Sequence, residues 1–185
     1  ATSNIVPDGL YRDGLQRARF LPAIELLKQH TEIVNVDSGV DYRLRALEQA
    51  ELYHWPLDAA AELSLEKSFR SLLPEHCEVQ ENEALMIENR QIVARKVGDD
   101  VAWFEFRELC DGPRSQNDYI ELGKLFHAVL IANVEQMDAS KDDMARRFVN
   151  LVDEFYDRNV KLILSADVRL QSLYSGGRLE FEFQR

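Results

Sequence analysis

The sequence predicts a mixed α/β fold, and three observations carry that prediction. Two short apolar-rich runs, 128–134 and 160–165, flank a helical pattern at 140–159. Such runs read as buried strands of a parallel sheet, and strand-helix-strand closes as a right-handed crossover. Further upstream, apolar runs at 84–88, 91–97 and 101–106 are parted by Asn89-Arg90 and Gly98-Asp99-Asp100, which is the turn chemistry of an antiparallel meander. Finally, residues 58–73 carry a helical period between an Asp able to cap and Pro74, which stops it.

The remaining elements follow in order. Pro-Asp-Gly and Asp-Gly within 5–14 make turns. Pro22 suits the first turn of a helix that runs to about His30, with Ala23, Ile24 and Leu27 at helical spacing. Ile33, Val34 and Val36 form a short strand. Residues 117–127 read as a helix. Ser140-Lys141-Asp142-Asp143 reads as a capping box, with Asp in place of Glu, that opens the next helix. On that helix Phe148, Leu151, Val152, Phe155 and Tyr156 share a face, which puts Asp153 and Glu154 on the solvated side. The closing Leu179-Glu180-Phe181-Glu182-Phe183 alternates as a strand does.

Composition narrows the function. Among 185 residues, 22 are Lys or Arg and 33 are Asp or Glu, a net charge of −11. The longest basic runs are pairs, Arg95-Lys96 and Arg146-Arg147, so nucleic acid and anionic membranes are poor partners. No run approaches the roughly 20 apolar residues of a membrane span, so no transmembrane segment is expected. Cys77 and Cys110 stand alone, which fits a reducing compartment and a cytoplasmic placement. The opening without Met and the close inside an apolar pattern are expected of a fragment.

No self-contained catalytic constellation is present. The sequence lacks the Gly-rich phosphate loop ending in Lys-Ser or Lys-Thr. Its four histidines, at 30, 54, 76 and 127, are dispersed and lack metal-ligand spacing. Leu151-Val152-Asp153-Glu154 mimics a metal-binding strand, but the helical period runs through it. Two segments remain. Ala1-Thr2-Ser3-Asn4 is a small polar run of the kind that ends a buried strand at a ligand crevice. Leu15-Gln16-Arg17-Ala18-Arg19-Phe20 sets two guanidiniums on a turn. Taken alone, those arginines read first as ion-pair partners in an acidic chain. Held rigidly, they could also stabilise phosphate charge in trans.

Read together with Asp41-Tyr42-Arg43-Leu44-Arg45, Asp118-Tyr119, Arg146-Arg147-Phe148 and Phe181-Glu182-Phe183-Gln184-Arg185, these segments resemble the AAA+ ATPase family. The similarity is to its branch of bacterial cell-division proteins and their mitochondrial relatives. It runs from the first residue to the last, and the stretch 2–24 is its most specific part. The resemblance implies the end of a P-loop AAA+ core at 1–45, followed by a mixed α/β C-terminal module at 46–185. It implies Asn4 as sensor one, Arg19 with Arg17 as arginine-finger candidates, and Arg43 and Arg45 as sensor-two-like positions. It also implies ATP and magnesium as cofactors of the longer protein, self-association, FtsZ as partner, and work at the division septum. The phosphate loop and metal-binding acidic strand are absent from these 185 residues, so the chain alone is expected neither to bind ATP tightly nor to hydrolyse it.

Two further expectations follow from the residues. Ser165-Ala166-Asp167 and Leu173-Tyr174 with Gly177 echo Thr2-Ser3-Asn4 and Leu10-Tyr11 with Gly14, so 128–185 is expected to be a degenerate core-like unit. The competing function is a non-catalytic interaction module that binds a protein through Trp103, Phe104 and Phe106, against which stands burial of those rings in a core.

Overall fold

The computed structural model describes residues 17–31 and 52–184, apart from the side chains of Arg19 and Gln184. The chain divides into two compact units, 1–41 and 42–185. In the first, a single 3-10 turn, Arg17–Arg19, leads into helix α1, Leu21–His30. Pro22 sits in the first turn, where its missing N–H leaves no bond unmade. The helix buries Ile24 and leaves Leu21, Leu26 and Leu27 exposed.

The second unit is built on a mixed sheet. Its strands are β1 (Tyr53–His54), β2 (Gln80–Ile87), β3 (Arg90–Gly98), β4 (Val101–Glu105), β5 (Ala128–Val134) and, after the short β6 (Met137–Asp138), β7 (Lys161–Ala166). Their spatial order is β1-β7-β5-β4-β3-β2. β1, β7, β5 and β4 are parallel to their neighbours, whereas β4–β3 and β3–β2 pair antiparallel. β6 pairs in parallel with β8 (Tyr174–Ser175) as a separate ribbon.

Both faces of the sheet are covered, as a parallel sheet requires. Helix α2 (Ala59–Leu72) lays Leu65, Phe69 and Leu72 on Val101, Trp103, Leu130 and Ile163. Helices α3 (Phe106–Cys110), α4 (Gln116–Leu125) and α5 (Asp142–Asp157) cover the other face. Along β5 the side chains alternate between these two cores, Leu130 to one and Ile131 to the other, as the two-residue strand period dictates. Each such fully buried large apolar side chain contributes about 2 kcal/mol of transfer free energy.

Local chemistry sets the element ends. Asp58 caps α2 by accepting the Ala61 N–H at 2.8 Å, and the helix stops ahead of Pro74. The β2–β3 turn is Glu88-Asn89, both at positive φ, so it falls one residue ahead of the expected Asn89-Arg90. Arg90 is thereby freed to start β3. Gly98 is a packing glycine, since a Cβ there would meet Leu73 at 2.9 Å.

Several expectations are corrected. Residues 180–184 form a helix, α6 (Glu180–Gln184), not a strand. Leu179 and Phe183 are four apart and so share one helix face. Phe183 stacks on Tyr174 at 4.8 Å while Phe181 points to solvent, 76% exposed. Ser140 does not cap α5. Asp138 caps a preceding 3-10 turn, Ala139–Lys141, and α5 starts at Asp142. Tyr156 lies outside the apolar stripe of α5, 82% exposed, because Ala145, Phe148, Leu151 and Phe155 already fill the inward face. Glu154 is buried rather than solvated, accepting from Gln116 and pairing with Arg158 at 3.4 Å. Trp103, Phe104 and Phe106 are at most 1% exposed, so they pack the core and offer no surface to a protein partner.

Candidate functional site

Of the residues that the sequence puts forward for nucleotide chemistry, Asn4, Arg43 and Arg45 lie outside the described residues. Arg17 and Arg19 belong to the 3-10 turn, closed by the Phe20 N–H donating to the Arg17 carbonyl at 2.8 Å. Phe20 then serves as N-cap of α1, its carbonyl accepting the N–H groups of Ala23 and Ile24 at 3.1 and 3.2 Å. The turn and the helix are therefore one continuous hydrogen-bonded piece, and its backbone places both arginine Cα atoms at the helix entrance. Arg17 is half-buried. No carboxylate occurs between Leu15 and Ile24 in the sequence.

A second polar centre lies in unit 42–185, along the carboxyl edge of the parallel strands. Asn133, near the end of β5, takes φ 61°, a left-handed conformation that Asn tolerates better than most residues. It sits where the β5–β7 register shifts, so its N–H leaves the ladder and donates to Ser165 Oγ at 3.1 Å. Its side-chain amide donates to Glu105 Oε2 at 2.9 Å. The other Glu105 oxygen meets Arg95 at 3.1 Å, and Arg95 also pairs with Glu62 of α2. The Arg95 guanidinium lies 4.5 Å from the Trp103 ring centroid, a cation–π contact on the sheet face beneath α2. Lys96 and Glu66, at 2.6 Å, repeat the clamp one turn further along α2.

The rim continues through Arg107, Glu135 and Lys141. Glu135 accepts from Lys141 and from Arg107, at 3.0 Å to the latter, and the Lys141 bond holds its carboxyl below the usual range. On the β1 side, Tyr53 donates to the Val168 carbonyl at 2.7 Å, and burial beside Asp167 pushes its phenol up to about 12. Cavities of about 310 and 350 Å³ open on either side of Asn133. Sequence reasoning placed Asn133 within one apolar-rich run and Ser165 at the end of another. It missed Glu62, Arg95 and Glu105, whose only signal is the match of Glu62 and Glu66 on one helix face to the Arg95-Lys96 pair.

Among the described residues no three His, Cys, Asp or Glu groups converge to hold a metal ion, and no helix is long and apolar enough to cross a membrane.

Comparison with known proteins defines the chain's kinship. The family model for AFG1-like ATPases matches residues 1–185. The cell division protein ZapE of Escherichia coli K12 is 49% identical over 185 residues, which cover 100% of this chain and 49% of that protein. Lactation elevated protein 1 homolog B of Danio rerio is 36% identical over 186 residues, covering 100% of this chain and 37% of that protein. The chain thus spans about half the length, or less, of these relatives. No solved structure matches it. With a family match from end to end, the chain belongs to the AFG1-like ATPase family.

Proposed function

We propose that this chain is the C-terminal portion of an ATP-hydrolysing cell-division protein that remodels or destabilises FtsZ polymers. The family match across residues 1–185 and the 49% identity to a cell division protein support the reading. The observation that carries it is the Arg17–Arg19 turn, hydrogen-bonded into the entrance of α1. A guanidinium carried on that turn would suit a neighbouring subunit's triphosphate. Its charge and fork of N–H donors match the oxygens of a transferring phosphoryl group.

In this reading residues 1–45 close the ATPase core and 46–185 form the C-terminal α/β module, with 128–185 a degenerate core-like unit. Asn4 orients the attacking water or the γ-phosphate. Arg19, supported by Arg17, acts as the arginine finger, and Arg43 and Arg45 stand in the sensor-two position. ATP supplies the phosphoryl group and magnesium offsets its charge. The ion would be held by residues other than those described, because these gather no ligand set. The protein self-associates and works in the cytoplasm, at the septum.

The test uses the full-length protein. Arg19→Ala should cut the ATPase rate by about 10³-fold or more. Mixing that variant with subunits defective only in their own nucleotide site should restore turnover, because the two defects then sit on opposite sides of a shared interface. An unchanged rate makes Arg19 structural and defeats the proposal.

A further inference from the structure

The parallel part of the sheet has an internal asymmetry. The strands run β1-β7-β5-β4 in space, all parallel to their neighbours. After β1 the chain crosses the sheet through α2, on the face of Phe69 and Trp103. After β4 and β5 it crosses on the opposite face, through α3 with α4 and through α5, and after β7 it continues on that face through the segment holding Leu173 and Tyr174. The neighbours β1 and β7 therefore send the chain to opposite faces. That is a topological switch point, and open α/β sheets take their ligands in the crevice at the carboxyl ends of such strands. The cavity of about 310 Å³ lies there, lined by Asp58 and Glu62 from the start of α2, Asn133 from β5 and Ser165 from β7.

The sequence on β7 repeats that of the chain's first segment at equal spacing. Asp167 precedes Leu173-Tyr174 as Asn4 precedes Leu10-Tyr11, by six residues, and Gly177 follows as Gly14 does. The chemistry of the crevice has nonetheless changed. The strand-to-helix loop is Trp55-Pro56-Leu57-Asp58, without a glycine to bring backbone N–H groups against a phosphate. Asp58 already accepts the Ala61 N–H at 2.8 Å, a donor that a phosphate would need. Glu62 adds a second carboxylate to the same helical turn. The Asn133 N–H donates to Ser165 Oγ at 3.1 Å, and the Asn133 side-chain amide is spent on Glu105.

We infer that β1, α2, β4, β5 and β7 form a second, silent nucleotide-core-type unit, whose switch-point crevice keeps the topology of a phosphate site and refuses phosphate. The inference rests on the reading of 128–185 as core-like and extends that unit back to Tyr53. A polyphosphate entering the crevice would meet the Asp58 carboxylate at the head of α2, while Arg95, the cation beside Glu62, is already shared between Glu62 and Glu105. The full-length protein would then hold one nucleotide per chain, on its other half, and the second core would serve as a rigid body and not as a second motor.

Equilibrium dialysis of the full-length protein with ATPγS, combined with 8-azido-ATP photolabelling and peptide mapping, tests the silent crevice. The expected result is one bound nucleotide per chain and no label in peptides covering 53–62 or 161–169. A second bound nucleotide, or label in either peptide, overturns it. A solved full-length structure tests the core relationship. The four parallel strands should overlay on the upstream half in the same order, with Asp167 falling on Asn4, and a different order or a left-handed connection overturns the copy. No bound nucleotide at all would defeat the ATPase proposal while leaving the crevice silent, so the two failures are distinct.

Discussion

The arginines of the Arg17–Arg19 turn and those of the sheet rim occupy contrasting settings. On the rim, each guanidinium is locked to a carboxylate of another element: Arg95 to Glu62 and Glu105, and Arg107 to Glu135 at 3.0 Å. Those contacts brace helices against strands. In the turn, local hydrogen bonds fix the backbone, within a stretch from Leu15 to Ile24 that holds no acid although the chain carries 33. The comparison teaches that acids nearby in sequence do not identify a brace, since Arg95 finds Glu62 33 positions away, so measurement has to sort the arginines of the turn.

That comparison can be broken from either side. The largest effect is expected in the turn, where Arg19→Ala in the full-length protein should remove about 10³-fold or more of turnover, roughly 4 kcal/mol, without lowering the melting temperature. An equal loss of stability would return Arg19 to the class of braces. Next comes the most buried brace. Asp118 is fully buried and accepts from Arg90 Nη2 and the Ser115 N–H, both at 2.6 Å. Asp118→Ala leaves Arg90 without that partner and should cost about 3–5 kcal/mol in urea unfolding. A loss below about 1 kcal/mol would show that the network is dispensable.

Arg95→Met sharpens the contrast at a partly exposed brace. Its ion pairs and its contact with Trp103 together should be worth about 1 kcal/mol, and turnover should stay within twofold of the parent, an allowance of about 0.4 kcal/mol. A stability-neutral variant that stops the ATPase would move the rim into the catalytic machinery. The smallest effect concerns pH. Glu135 is held below its ordinary value of 4.5 by its hydrogen bond from Lys141. A depressed carboxyl contributes stability that is complete above that ordinary value and disappears as pH falls through the folded one. The melting temperature of the parent should therefore converge on that of Glu135→Gln as the solution is acidified below that ordinary value, and a constant gap would contradict the assignment.

Legibility in the sequence followed the range of the interactions. The α2 boundaries were readable because Asp58 and Pro74 act within a few residues of the backbone they cap or stop. The turn at Glu88-Asn89 slipped by one because two adjacent polar residues on either side satisfy the same rule, and only the register Ile87 to Arg90 decides. Residues 179–183 were ambiguous in themselves. Leu179, Phe181 and Phe183 fit a two-residue period, and Leu179 with Phe183 equally fits one helical turn. Stacking of Phe183 on Tyr174 selects the helix. The rim was least legible of all, since Arg95 meets Glu62 across 33 positions and Asn133 meets Ser165 across 32. Pairings of that span emerge only when the sheet brings strand ends together.

The central claim, that Arg19 faces a triphosphate, is most directly tested by trapping the full-length protein with ADP and aluminium fluoride, a mimic of the phosphoryl group in transit. The wild type should form a long-lived complex, whereas Arg19→Ala should bind ADP with unchanged affinity and fail to trap the fluoride. Equal trapping by both proteins would contradict the account.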